Sequence, residues 1–320
     1  METEAAARTA GRAAWRAYGQ AIDAVKETFR GTENISPASW GALLSASRSL
    51  VGLSQQDNQE IVALANRSTA GNYIYAHSVN TAILATRAAA AMSWPLERLI
   101  RLCLAALIHD IGLRPWLSVA HEARRLSPIE LAEIKLRAWE GARLVAESAP
   151  AEIGRDALEE IIRRQSGRRT GDNRKFPFDE VAVSSELIAL CDAYEAMCHP
   201  RHWRKTMTPH AAVRTVAQSR QWDKHVLRLF LSRLSPYPPG SFLRLTSGEL
   251  ARVVRINPKD LMRPQVAVLA AEEGYLLEFP RLIDLAATPL AYIKDAVDES
   301  KSEGADARLR AVLQANRWWL

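Results

Sequence analysis

The stretch Tyr73–Gly112, YIYAHSVNTAILATRAAAAMSWPLERLIRLCLAALIHDIG, constrains the fold more than any other part of the chain. Two apolar-periodic segments are split by Ser93-Trp94-Pro95. Proline sits well just inside a helix start, so the stretch reads as helix, break, helix. One histidine, His77, opens it, and an adjacent pair, His109-Asp110, closes it. The pair follows the uncharged run LCLAALI, so the two residues arrive on a helix that is otherwise core. An unpaired charge there is expensive. A divalent cation is a suitable partner, because it takes neutral imidazole and carboxylate together.

Adjacent residues on a helix point about 100° apart. They can share one cation beside the helix if other helices bring further ligands. His77 is the first candidate, and Asp192, after the apolar run in ELIALCDAYEAM, is another. Taken singly, such residues read as a histidine bonded to a backbone carbonyl or an aspartate capping a helix. Their order is H…HD…D. The blocks YIYAHSVN, AALIHDIG, LSPIELAEIKLRAWEGARLV and ELIALCDAYEAMCHPRHWRKTMTPHAAV run from about Asn72 to about Val213. In that order the chain resembles the HD superfamily of metal-dependent phosphohydrolases, and within it the HD-GYP branch, whose best-known members hydrolyse cyclic di-GMP.

The resemblance implies a mainly α fold, an HD-domain helical bundle. It implies a metal site of His77, His109, Asp110 and Asp192, with Asp110 and Asp192 as catalytic residues that carry the charge. The cofactor is expected to be one divalent transition metal, iron, manganese, zinc or nickel, which such ligands suit better than calcium. The expected partner is a phosphate-containing small molecule or nucleotide.

Departures from the branch matter equally. Its second metal needs a histidine whose place falls on Arg137, and two more that fall on Arg163 and Arg164. The GYP motif is replaced by GRRTGDNRKFPF, and the lysine usual after HDIG is Leu113. Arginine stays protonated and cannot ligate a metal. A guanidinium about 5 Å from a divalent cation, at an effective dielectric near 20, repels it by about 6 to 7 kcal/mol. Arg137, Arg163 and Arg164 are therefore candidate phosphate-binding residues, since guanidinium pairs strongly with phosphate. The competing reading turns them outward onto Glu140, Glu159 or Glu160. Two functions stay open: a single-metal phosphohydrolase, or a catalytically inactive signalling module that binds a nucleotide or a protein partner. Hydrolysis of cyclic di-GMP itself is not expected, because the residues dedicated to it are the ones replaced.

Composition bounds the remainder. Hydrophobic content of 48% and charged content of 24% suit a soluble globular chain. No run is long enough to span a bilayer, and METEAAARTAGRAAWR lacks a signal-peptide core, so a cytoplasmic location is expected. Cys103, Cys191 and Cys198 form no CxxC and read as reduced, buried thiols. The net charge of +6 favours acidic ligands without naming one. The basic segment 163–175 reads as a solvated loop, and nucleic acid is not an expected partner. An oligomer is open.

Four regions are expected. Residues 1–70 are an N-terminal helical layer, with Ser36-Pro37 starting a helix. Residues 71–235 hold the HD domain. In it, Ser127-Pro128-Ile129-Glu130 is a capping box, a helix covers roughly 151–165, and Gln165–Glu180 is loop. Asp192 sits on the next helix, and Thr208-Pro209 starts another. His199, His202 and His210 read as surface groups or groups behind the metal ligands. Residues 236–287 are a small antiparallel β unit with turns at Ser247-Gly248 and Glu273-Gly274. Residues 288–297 and 306–318 read as closing helices, ending on an apolar Trp318-Trp319-Leu320 tip.

Overall fold

A computed structural model describes residues 2–31, 34–56, 58–65, 73–117, 127–169, 179–199, 207–272 and 274–297, leaving aside the side chains of 2–10, 73, 131, 134–138 and 166–169. The chain is mainly α with a small C-terminal sheet. The helices are α1 (Glu2–Arg30), α2 (Pro37–Gln55), α3 (Gln59–Leu64), α4 (Tyr73–Ala89) and α5 (Leu96–Ile108), then α6 (Pro128–Ser148), α7 (Arg155–Arg169), α8 (Glu180–Cys198), α9 (Pro209–Gln218) and α10 (Lys224–Leu234).

The rod at the centre is α5. Every residue from Leu102 to Ile108 is fully buried, as expected of a helical segment that is apolar all round. It is surrounded by α2, α4, α7 and α8. Helices α1 to α3 are not a separate layer energetically: Ala21, Val25, Leu43 and Leu50 belong to the same apolar core as Leu104, Leu187 and Phe230. The three cysteines are free and buried, and burial pushes the Cys103 thiol up to about 11. No described helix is long and apolar enough to cross a membrane.

Local chemistry starts the helices where the sequence indicates. Ser36 Oγ accepts from the Ser39 amide at 3.1 Å, and Thr208 Oγ1 from the Ala211 amide at 3.2 Å. At α6 the capping box closes in both directions, between Ser127 and Glu130. The helix expected over 151–165 differs. Gly154, at φ +73°, splits it into a 3-10 turn, Ala151–Ile153, and α7. A Cβ at Gly154 would meet the Arg101 guanidinium at 2.7 Å. That guanidinium staples α5 to the turn and to α8, through Ile153 O at 3.2 Å and Glu180 Oε1 at 2.5 Å. Helix α7 also continues to Arg169, beyond the expected loop start at Gln165; residues 170–178 lie outside the described residues.

The sheet has the order β4-β3-β2-β1-β5, all antiparallel: β1 (Phe242–Leu245), β2 (Leu250–Arg255), β3 (Gln265–Ala270), β4 (Leu276–Asp284) and β5 (Ile293–Val297). Gly248 and Gly274 take positive φ at the two turns, where glycine carries no Cβ penalty. Strand β5 corrects the closing helix expected over 288–297. The apolar spacing there suits a helix, but the free edge of β1 offers backbone partners, pairing Phe242 with Val297 and Leu243 with Ala296. Tertiary pairing overrides so weak a local preference. The second expected helix, 306–318, lies outside the described residues. The sheet joins the bundle through His210, whose Nδ1 donates to Pro236 O at 2.8 Å and whose ring stacks on Tyr237 at 4.9 Å.

Beyond α5 the chain turns sharply into a 3-10 segment, Ile111–Trp116, and α6 lies against it. Gly141 permits that approach: a Cβ there would sit 3.2 Å from both the Gly112 amide nitrogen and Ile111 Cγ2. The substitution Gly141→Val is therefore expected to overpack this contact and cost about 1–3 kcal/mol, read as a lower urea midpoint at unchanged m-value.

Candidate metal centre

His77 projects from α4, His109 ends α5, and Asp192 projects from α8, so three helices contribute. His77 Nε2 lies 3.0 Å from Asp192 Oδ1 and 3.9 Å from Asp110 Oδ2. His109 Nε2 lies 3.5 Å from Asp110 Oδ2. One ligand atom each from His77, His109 and Asp192 falls within 4.8 Å of the others. The four sequence-predicted residues thus meet, each no more than 9% exposed.

Asp110 reaches the cluster by a route the helical geometry alone does not suggest. Helix α5 stops at Ile108, and Asp110 has φ −102° and ψ 12°. This is the sparsely allowed bridge between helix and extended backbone, where many active-site residues sit. Leaving the helix frees the adjacent pair from its 100° divergence.

Hydrogen bonds set the protons. His109 Nδ1 lies 2.8 Å from Ala106 O. A carbonyl only accepts, so Nδ1 carries a hydrogen and Nε2 is the ring nitrogen left to face a ligand. That Nε2 is buried and makes no hydrogen bond. An unsatisfied buried acceptor costs about 1–3 kcal/mol, which a cation at this point removes. His77 Nδ1 donates to Glu195 Oε2. Burial lowers the His77 pKa, but Glu195 and Asp192 outweigh it and carry the value up to about 10. Without a metal the two flanking carboxylates thus favour the charged imidazolium of His77 over the opposing effect of burial. The donor set, two imidazoles and two carboxylates with one orphaned nitrogen, fits a divalent transition ion.

Sequence reasoning missed Glu195, Asn80 and Gln165. Glu195 is fully buried, and His199 and His77 hold its carboxyl well below the usual range against the opposing effect of burial. Gln165 Nε2 lies 3.5 Å from Asp192 Oδ2. The signal was present in the spacing: Glu195 follows Asp192 by three residues and Asn80 follows His77 by three, which on a helix places each pair on one face. His199, expected at the surface or behind the ligands, is 3% exposed and lies 2.8 Å from Glu195 Oε1. His202 lies outside the described residues.

The expected phosphate-binding arginines fare differently. Arg163 bonds Glu160 through Nε and Nη2, at 2.7 and 2.5 Å. Arg164 Nε bonds Glu160 Oε1 at 2.6 Å. Arg163 also lies over the Trp139 ring at 5.9 Å. Glu160, one of the three glutamates of the competing reading, thus engages both, with the Arg164 side chain 14% exposed. Arg137 lies on α6, with its side chain outside the described part.

The chain is 25% identical over 231 residues to a cyclic di-GMP phosphodiesterase of Pseudomonas aeruginosa, covering 70% of this chain and 55% of that protein. It is 24% identical over 217 residues to the cyclic di-GMP phosphodiesterase PdeB of Borreliella burgdorferi, covering 67% and 55%. It therefore spans about half the length of these curated relatives. No solved structure matches it. Residues 242–305, which include the sheet, match a family described as a KOW domain associated with HD domain. Residues 53–226, more than half of the chain and including all four clustered side chains, match the HD domain, and the chain belongs to the HD domain family.

Proposed function

We propose that the chain is a metal-dependent phosphohydrolase of HD type, with one divalent transition metal held by His77, His109, Asp110 and Asp192. The observation that supports this reading is the meeting of His77, His109 and Asp192, with the unsatisfied Nε2 of His109 among them and Asp110 Oδ2 3.5 Å from that nitrogen. When bound, such a cation polarises a phosphoryl oxygen and lowers the pKa of a bound water. The chain's own residues do the remainder. Asp110 and Asp192 supply the negative charge that retains a cation and are the proposed catalytic carboxylates. His77 and His109, each fixed through Nδ1, set the geometry.

The names of the two relatives support a phosphate ester or nucleotide as substrate. Cyclic di-GMP itself is disfavoured, since arginines occupy the aligned positions of the HD-GYP second-metal histidines. The Glu160 pairings of Arg163 and Arg164 support one metal rather than two, and a phosphate reaching them must compete with that carboxylate. The same pairings, with the missing GYP motif, favour a second reading: an inactive HD-GYP-like signalling module in the cytoplasm that binds a nucleotide or a protein partner.

Protein purified without chelator is expected to contain one transition metal per chain and to hydrolyse a phosphodiester from a panel that includes cyclic di-GMP. His109→Ala and Asp192→Ala should lose the metal, and Asp110→Ala the turnover. Metal-free wild-type protein with no metal-stimulated activity sinks the hydrolase reading. Nucleotide binding that survives metal removal but fails in the Arg163→Ala/Arg164→Ala double variant establishes the module instead.

Metal uptake should also depend on pH with a definite sign. The His77 pKa rises from 6.5 to about 10, so its proton stabilises the metal-free fold fully below pH 6.5, and this contribution is lost as pH rises through about 10. A metal must displace that proton. Calorimetry in buffers of different ionisation enthalpy should find one proton released per metal bound near pH 7. Affinity should climb about tenfold per pH unit below the His77 pKa. Uptake without proton release contradicts the assignment of His77 Nε2 as a ligand.

A further inference from the structure

We infer that Glu195 is a positioning residue: its buried carboxylate holds His77 in the one tautomer that leaves Nε2 for the metal. The carboxylate is in turn held by the N-terminal helix α1 through Tyr18 and Asn80. The inference rests on the proposed metal centre and deepens it.

The geometry separates Glu195 from the cluster it serves. His77 Nδ1 faces Glu195 Oε2 while Nε2, on the other side of the ring, faces Asp192 and Asp110. A carboxylate only accepts, so the proton between His77 and Glu195 belongs to Nδ1, and Nε2 is the atom freed for a ligand bond. Both Glu195 oxygens are engaged. Oε2 receives His77, and Oε1 receives Asn80 Nδ2 at 3.0 Å and lies 2.8 Å from His199 Nδ1. That leaves the carboxylate oriented by two donors from α4, with His199, whose Nδ1 also lies 3.0 Å from Glu195 O, close beside it, and it has no exposure to water.

The next contacts fix the fixer. Asn80 is fully buried; with Nδ2 donating to Glu195, its Oδ1 accepts from Tyr18 OH at 3.0 Å. The amide orientation is set by the carboxylate, because reversing it would place an oxygen against Glu195 Oε1. Tyr18 lies on α1, and Asn80 one turn after His77 on α4. A continuous path therefore runs from α1 to the metal-facing edge of His77. Carboxylates behind ligating histidines raise their basicity and set their rotation, and losing one typically weakens metal binding by roughly 10- to 100-fold.

The test uses the full chain and zinc as the probe. Glu195→Gln keeps the shape and removes the charge, and its amide can present NH2 to His77 and favour the wrong tautomer. It is expected to bind zinc roughly 10- to 100-fold more weakly than wild type, with unchanged circular dichroism. Tyr18→Phe should weaken binding in the same direction by a smaller factor. In the zinc-loaded wild type, imidazole nitrogen NMR should find the His77 proton on Nδ1, with the signal assigned by its loss in His77→Gln. Wild-type zinc affinity retained in folded Glu195→Gln overturns the inference, as does a His77 Nδ1 without its proton. The second result decides the matter if Glu195→Gln does not fold. Wild-type protein that binds no zinc instead removes the metal centre itself, so the two failures are distinguishable.

Discussion

Three buried carboxylates, Asp110, Asp192 and Glu195, set the terms for the rest of the bundle. They lie beside a helix, α5, whose inner half is wholly apolar, and at 0 to 9% exposure they have little water to screen them. A negative cluster in such a place requires compensating charge at close range. His77 supplies it in the metal-free protein, between Glu195 on one edge of its ring and Asp192 on the other. A divalent ion takes over that task in the proposed holoprotein. Stability and site are thus coupled through one imidazole.

Much of the architecture serves to bring these groups together. Helices α4, α5 and α8 pack side by side, and each contributes to the cluster at the level where α5 ends. Arg101 ties α5 to the start of α8, and Gly141 lets α6 press on the turn that carries Asp110. Helix α1 shares the same core and reaches Glu195 through Asn80. The N-terminal layer therefore supports the site as well as packing on it. The sheet stands apart from this machinery, with its own apolar clusters on two faces, and touches the bundle near His210.

Arg163 and Arg164 illustrate how a partly buried guanidinium finds a local partner. Such a group needs an anion close by. At Arg163 and Arg164 the nearest one is Glu160, one turn away on the same helix. The pairing draws the Glu160 carboxyl below its ordinary range, against the opposing pull of burial. Such a local pair holds both cations away from a role as free phosphate clamps unless a ligand out-competes it.

The helix starts, the break at Ser93-Trp94-Pro95, the buried thiols and the four clustered residues were all legible in the sequence. Each depends on short-range chemistry: a capping oxygen, a proline, an apolar run, or a motif order. Other features were decided only by the tertiary structure. Residues 293–297 became a strand because β1 had an open edge, although their apolar spacing suits a helix. Asp110 joined His109 because the helix ends at Ile108 and the backbone turns at Asp110. Glu195 became the partner of His77, 118 residues away, because α4 and α8 lie face to face. Local preferences are set by neighbours along the chain, whereas pairing, register and the partner of a buried charge depend on groups that only folding brings near.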